Sequence, residues 1–207
     1  MRRLFLALPA SAALLAAACS SAPDESAPEP LAGSWELDTK ASRLAFVTIK
    51  AGQVVEAHSF GDLSGSVAED GTASFAVDLA SVNTNVDVRD QRMRDILFQV
   101  ADFPQAKVSA KIDPATLSGL GLGEQSIVPI TATLDLHGTK APIETSLAVT
   151  RIAPDKVEVE TTSPIILDAA NYALGEGLSQ LQELAGLPAI TAQVPVTFSL
   201  AYDKSDD

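Results

Sequence analysis

The sequence has few of the side chains on which catalysis and metal binding depend. Its 207 residues include one cysteine and two histidines. The histidines, His58 and His137, stand far apart and belong to no His-x-His or Cys-x-x-Cys motif, which argues against a high-affinity zinc site. No Gly-x-Ser-x-Gly motif occurs, and Gly119, Gly121 and Gly123 lie between strand-like runs rather than at a strand-to-helix turn that could hold phosphate. We therefore expect no catalytic residue, no metal and no cofactor.

Basic residues are also scarce. The chain has 14 lysines and arginines against 27 aspartates and glutamates, a formal net charge of −13. A surface of this sign repels polyanions, which argues against a nucleic-acid partner and against electrostatic docking on anionic lipid. We expect any membrane attachment to come from a covalently bound lipid.

The N-terminus is typical of an exported bacterial lipoprotein. Arg2 and Arg3 precede an apolar stretch at residues 4–15 and three alanines, which predicts a signal peptide over residues 1–18. Cys19 follows directly and is the predicted site of acylation, although Leu15 stands one position earlier than in the usual motif. Ordinary cleavage that leaves a free thiol is the alternative. Ser20 favours the outer membrane by analogy with Gram-negative lipoproteins, so we expect a membrane-anchored periplasmic protein.

The remaining chain divides into a tether and one folded domain. Residues 19–32 are mostly Ser, Ala, Pro and acidic residues, which predicts a disordered tether. Over residues 33–204, short runs alternate apolar and polar side chains. The clearest run sets Ile130, Ala132 and Leu134 against polar neighbours. Such runs predict a mainly β domain, either an antiparallel barrel or a sandwich.

Two stretches break the β pattern and predict short helices. Residues 86–107 place four apolar side chains on one helical face ahead of a Phe-Pro turn: Val88, Met93, Ile96 and Leu97. Residues 176–187 place Leu178, Leu181 and Leu184 on one stripe, ended by a glycine and a proline. We expect both helices to cover an open end of the β structure.

Four segments in this order resemble the YceI-like family. They are GSWELDTKASRLAFVTIK (33–50), FGDLSGSV (60–67), SVNTNVDVRDQRMRD continuing to LFQVADFPQAKVSA (81–110), and ITATLDLHGTKAPIE (130–144). The resemblance implies a lipocalin-like antiparallel β-barrel of about eight strands, capped by one or two short helices. It also implies an apolar cavity, which holds a polyisoprenoid chain in the family's characterised members.

The phenylalanines have two interpretations, a packed core or the wall of a ligand cavity, and the resemblance favours the wall. The residues expected to line the cavity are Phe46, Phe60, Phe75, Leu97, Phe98, Phe103, Leu134 and Phe198. Arg89 and Arg92 are expected at its mouth, where a guanidinium group can bind a polar or anionic head group. The alternative is that Arg89 and Asp90, which match the family's Arg-Asp pair, fix the helix to the barrel rim.

These expectations point to a non-catalytic carrier lipoprotein of the bacterial cell envelope, with an isoprenoid or other lipid inside the barrel. The acidic surface favours a neutral ligand such as a quinone or a fatty amide. An interaction module with a filled barrel is the alternative from another functional class, and a lipid-modifying barrel enzyme is a weaker one. A homodimer is left open.

Overall fold

The computed structural model describes residues 30–205. The predicted signal peptide, Cys19 and most of the predicted tether therefore lie outside the described residues.

Strands make up most of the described chain, and two short α-helices interrupt them. The strands are β1 (Trp35–Lys50), β2 (Val54–Phe60), β3 (Leu63–Val67), β4 (Thr72–Asp78), β5 (Val82–Asn83), β6 (Gln105–Lys111), β7 (Gln125–Leu136), β8 (Thr139–Ala153), β9 (Lys156–Thr161), β10 (Ile165–Asp168) and β11 (Gln193–Lys204). The helices are α1 (Asp87–Arg92), which continues as a π-helical turn (Met93–Leu97), and α2 (Gly175–Leu184).

Eight of the strands close into an antiparallel barrel. Their order around the barrel is β1, β3, β4, β6, β7, β8, β9 and β11, and β11 pairs with β1 to close the ring. Trp35 shows the closure, because it pairs with Val67 on one side and Lys204 on the other. The predicted mainly β barrel is thus confirmed.

The other three strands widen one end of the barrel. Past an irregularity between Asp38 and Arg43, β1 exchanges β3 for β2 as its neighbour, and β5 pairs with β2. Similarly, β10 pairs with the first residues of β11. We call this end, which α1 and α2 cover, the helix end. The opposite end, formed by the turns at residues 68–71, 112–124 and 154–155, is the turn end; both ends of the described chain lie there, where Ser205 N donates to Ser34 O.

The predicted alternation in β7 fits the barrel wall. Its inward side chains include Ala132, Leu134 and Leu136, which are buried, whereas Thr131 and Thr133 between them are exposed. Inward and outward residues alternate because successive side chains of a strand point to opposite faces.

The helices differ from their predicted forms in two details. The predicted face of the first helix is broken: Met93 and Leu97 are buried, but Val88 is 59% exposed. A hydrogen bond from Phe98 N to Met93 O spans five residues and turns the chain so that Leu97 and Phe98 are both buried. The second helix ends at Leu184 rather than at residue 187, and Leu184 is exposed.

Gly71 is expected to be indispensable for the turn between β3 and β4. Its φ is +82°, and a Cβ atom there would lie 1.9 Å from the Ile112 carbonyl oxygen. Gly52 has a similar φ of +73° with nothing within 4 Å of its Cβ position, so Gly52→Ala is a matched control. Both variants incur the strain of a left-handed conformation, and Gly71→Ala adds a backbone clash, so we expect it to lose about 2 kcal/mol more stability. Chemical denaturation measures both, and equal losses would contradict the prediction.

Candidate functional site

A cavity of about 640 Å³ runs along the inside of the barrel. Every one of the eight barrel strands contributes lining residues, and nearly all of these are apolar. The lining extends from Leu117 at the turn end to Arg92 at the helix end. The wall therefore surrounds a long apolar space with few hydrogen-bonding groups.

Seven of the eight side chains predicted to line the cavity do so. They are Phe46, Phe60, Phe75, Leu97, Phe98, Leu134 and Phe198. Phe103 is not among the lining residues, which corrects the expectation that it turns inward. Its ring packs on His137 with centroids 4.2 Å apart and would lie 3.0 Å from a Cβ on Gly138, so it covers the β7–β8 turn instead.

Small side chains on adjacent strands leave room inside the barrel. Ala73 pairs with Ala110, and Ala110 pairs with Ala132, so three alanines stand side by side on β4, β6 and β7. All three line the cavity. This row cannot be seen in the sequence, because its members become neighbours only through strand pairing.

Aromatic rings gather nearer the helix end. The Phe46 ring lies 5.2 Å from the rings of both His58 and Phe60, and Phe60 lies 5.9 Å from Phe98. These separations and tilts are favourable for aromatic pairs. The rings give this part of the wall a defined shape.

Helix α2 packs closely on the π-helical turn to form a lid over the helix end. Gly177 permits this contact, since a Cβ there would lie 2.7 Å from the Ile96 carbonyl oxygen. Leu178 and Leu181 of α2 line the cavity below. The lid thus presents apolar side chains to the space inside.

Arg89 belongs to a network that holds α1 on the barrel. Its guanidinium group donates to the Thr84 hydroxyl (2.8 Å), the Thr84 carbonyl (2.7 Å) and a Glu56 carboxylate oxygen (2.9 Å). Buried Asp90 completes the network by accepting from Thr84 N at 2.9 Å and from the Thr84 hydroxyl. A hydrogen bond from Lys50 and the charge of Arg89 hold the pKa of Glu56 below its usual value. This geometry favours the anchoring role of Arg89 and Asp90, through two partners, Thr84 and Glu56, that sequence reasoning missed.

Arg92 is the more available of the two arginines. It is partly buried and lines the cavity at the helix end. Unlike the side chain of Arg89, the side chain of Arg92 makes no hydrogen bond or ion pair with any residue between 30 and 205. Its donors are therefore free to meet a polar group of a bound molecule.

His58 places a polar group in the apolar wall. It is 6% exposed, and its Nε2 lies 3.0 Å from the hydroxyl of Thr48, which also lines the cavity. Its Nδ1 is buried and has no hydrogen-bond partner within the described chain. Burial, followed by the nearby charge of Arg89, lowers the pKa of His58 below 6.5.

The lowered pKa of His58 predicts a pH-dependent stability. The unfolded chain takes up a proton at this residue near pH 6.5, whereas the folded chain resists it until lower pH. The contribution of His58 is therefore fully present above about pH 6.5 and is lost as the pH falls below it. We expect the free energy of unfolding to decrease between about pH 7 and pH 5, and His58→Gln to flatten that slope. Denaturant titrations across this range measure it, and an unchanged slope in His58→Gln would contradict the assignment.

Residues 30–205 contain neither a metal-binding cluster nor a membrane-spanning helix. No three His, Cys, Asp or Glu side chains there group closely enough to hold a metal ion. None of the helices in that range has the length and apolar character needed to cross a membrane. The cavity is the feature on which a function can be argued.

Comparisons with known proteins agree with the fold. Residues 35–202 match the family model of the YceI-like domain. A polyisoprenoid binding domain from Saccharophagus degradans, implicated in plant cell wall breakdown, is 43% identical with a TM-score of 0.81 over 83% of this chain and 98% of that one. No curated protein matches.

Two more distant structures share the fold alone. BcnA from Burkholderia cenocepacia is 16% identical, with a TM-score of 0.62 over 80% of this chain and 98% of that chain. The YCEI protein of Campylobacter jejuni is 15% identical, with a TM-score of 0.53 over 72% of this chain and 85% of that chain.

Proposed function

The chain belongs to the YceI-like family, and from this premise we propose that it is a non-catalytic carrier that holds an isoprenoid lipid inside its barrel. The 43% identical relative, described as a polyisoprenoid binding domain, supports the ligand class.

The length and lining of the cavity carry this proposal. Val128 and Leu136 both line it and lie eight residues apart on β7, a distance of about 26 Å along the strand. Its volume falls within the range of about 300–1,000 Å³ usual for small-molecule sites. A long space without regularly placed polar groups suits an extended hydrocarbon chain, for which each buried methylene contributes about 0.8 kcal/mol. The same space counts against a filled scaffold, because folded cores leave few voids larger than a water molecule.

The head group of the ligand belongs at the helix end. Arg92, Thr48 and His58 line the cavity there, whereas the donors of Arg89 are already used by the protein. The low pKa of His58 keeps it neutral at pH 7, which favours a head group with a hydroxyl or carbonyl oxygen. The formal charge of −13 opposes an anionic one. We therefore favour a prenylquinone over a polyprenyl phosphate.

The N-terminal sequence supports a proposal for the cellular setting. A signal peptide over residues 1–18 and an acylated Cys19 would make the protein a periplasmic lipoprotein, held at the outer membrane in preference to the inner. The tether at residues 19–32 would separate the barrel from that membrane.

Native mass spectrometry with lipid extraction tests the proposal. The full chain, expressed and processed in a bacterial host, is expected to show a discrete added mass that extracts as a prenylquinone. The intact mass of the stripped protein also reports whether Cys19 carries acyl chains. A copurified polyprenyl phosphate would overturn the preference for a neutral head group. An apo mass that persists after incubation with prenylquinones and polyprenyl phosphates would overturn the carrier function.

A further inference from the structure

Two strand edges follow each other in the barrel wall without pairing. Strand β9 pairs with β8 as far as Thr161 opposite Leu147. The chain then leaves β8, because β10 pairs with β11, and within residues 30–205 no residue of β10 pairs with β8. Just past β10, the turn at residues 169–172 lies against β8 again. We call the unpaired boundary between residues 139–146 of β8 and β10 the seam.

The even-numbered residues of β8 direct their backbone groups into the seam. Ser146 O accepts from Thr162 N, on the side of the strand away from β7. Successive residues of an antiparallel strand direct their N–H and C=O groups to alternate sides. The backbone groups of Glu144 and Pro142 therefore face the seam as well, and Pro142 has no N–H to donate.

Ile166 holds the corresponding place on β10. Ala169 N donates to Ala192 O, so the odd-numbered residues of β10 face β11, whereas Ile166 and Pro164 face the seam. Pro164 also lacks an N–H. A proline on each side hinders a further strand from completing the ladder, which argues against strand addition by a partner protein.

The side chains beside the seam belong to the cavity wall. Ile143 and Thr145 on one side, and Ile165 and Leu167 on the other, all line the cavity. Ile143 and Leu167 pack against the same core cluster. The two edges are therefore held by side-chain packing, without a ladder of hydrogen bonds between them, over about 20 Å, the length of six residues in a strand.

Hydrogen bonds hold the helix end more firmly than the seam. Ala51 N donates to Ala189 O at 2.9 Å. Thr191 N donates to Ile49 O, also at 2.9 Å, and the network around Arg89 ties α1 to the barrel. Each such bond contributes about 0.5–1.5 kcal/mol to stability. Opening the helix end breaks these bonds, whereas opening the seam separates two edges that do not pair.

We propose that an isoprenoid enters and leaves the cavity sideways, through the seam between β8 and β10. This inference rests on the proposed function. Strand β10 has one strand neighbour and only four residues, and a segment with so few backbone partners opens locally at low cost. The apolar side chains on both edges would cover the tail along its length as it leaves water.

Two cross-linked forms of the full chain distinguish the seam from the helix end. Glu144→Cys/Ile166→Cys places thiols on the outside of the seam, where Glu144 is exposed and Ile166 is 58% exposed. Asp95→Cys/Glu176→Cys is the matched control, because both residues are exposed and adjoin the contact of the π-helical turn with the lid. A short bismaleimide whose linker contains a disulfide joins each pair, and peptide mapping identifies the product in the presence of Cys19.

The measurement is the uptake of a prenylquinone from phosphatidylcholine vesicles by the lipid-free protein, followed over time by native mass spectrometry. The protein cross-linked across the seam should load roughly tenfold more slowly than wild type or worse, because its strands cannot separate. Reduction of the linker should restore the wild-type rate. The protein cross-linked at the lid should load as wild type does.

Two results would overturn this route while leaving the carrier function intact. They are a seam cross-link that loads as fast as wild type, and a lid cross-link that slows loading as much as the seam cross-link. A wild-type chain that takes up no prenylquinone would instead overturn the proposed function, and the route with it.

Amide hydrogen exchange tests the seam without any lipid. The N–H groups of Glu144 and Ile166 should exchange much faster than those of Ile143 and Leu167, which face paired neighbours. Equal protection of the two sets would show that the edges are bonded, and would overturn the seam.

Discussion

Replacing Ala132 with phenylalanine is expected to expel lipid from the barrel while leaving the barrel folded. Ala132 is 8% exposed, lines the cavity, and stands beside Ala110 on the next strand. A phenyl ring there projects into the space that a hydrocarbon chain would occupy. In the double variant Ala110→Phe/Ala132→Phe, two phenyl rings from adjacent strands fill the cavity at one height along the barrel. We expect the amount of lipid bound to this variant to fall at least tenfold. Native mass spectrometry and lipid extraction measure the loss.

The stability of the same variants distinguishes a hollow barrel from a filled one. In a well-packed core, an inserted ring forces side chains and backbone apart and costs about 1–3 kcal/mol. In the cavity the ring has space, so we expect less than about 1 kcal/mol for Ala132→Phe in the lipid-free protein. Thr131→Phe, on the exposed face of the same strand, is the control and should change neither stability nor lipid content. A large loss of stability in Ala132→Phe, without any lipid in the wild type, would favour the filled scaffold.

Asp90→Ala is expected to destabilise the barrel strongly. The Asp90 carboxylate is 7% exposed and satisfies both the backbone N–H and the hydroxyl of Thr84. Its removal leaves buried donors without acceptors and loosens the arginine that ties Thr84 to Glu56. We expect a loss of about 3 kcal/mol in the free energy of unfolding.

Two comparisons sharpen this expectation. Asp95, on the adjoining π-helical turn, is exposed and accepts only from Gln91, so Asp95→Ala should cost less than about 0.5 kcal/mol. A double-mutant cycle with Thr84→Val should show losses well below the sum of the single ones, because the two residues share their hydrogen bonds. Additive losses, or an Asp90→Ala variant as stable as Asp95→Ala, would contradict the network.

A β-barrel can be predicted from the sequence because the alternation of apolar and polar residues is visible within each strand. The period-two alternation of β7 determines which side chains face inward, and Leu134 could be assigned from its neighbours alone. The pattern does not predict strand β10, because its four residues, Ile-Ile-Leu-Asp, are too few to show a period. The apolar stripe predicts that α2 continues to residue 187, whereas the helix ends at Leu184, whose side chain is exposed, two residues before Gly186 with its φ of +62°.

The features on which the proposed function depends are contacts between residues that lie far apart in the chain, and these cannot be predicted from short sequence patterns. Ala73 and Ala110 become neighbours only through the pairing of β4 with β6. Arg89 could be assigned to anchoring only once its contact with Glu56, 33 residues away, was known. Phe98 and Phe103 looked equivalent in the sequence, yet the chain reverses between them and sends only Phe98 into the cavity.

The described chain begins at the turn end, where Leu31 packs in the cluster of Leu120, Val128 and Val149. An acylated Cys19 would therefore hold the barrel by its turn end. The helix end, where Arg92, Thr48 and His58 line the cavity, would then face away from the membrane to which the acyl chains bind.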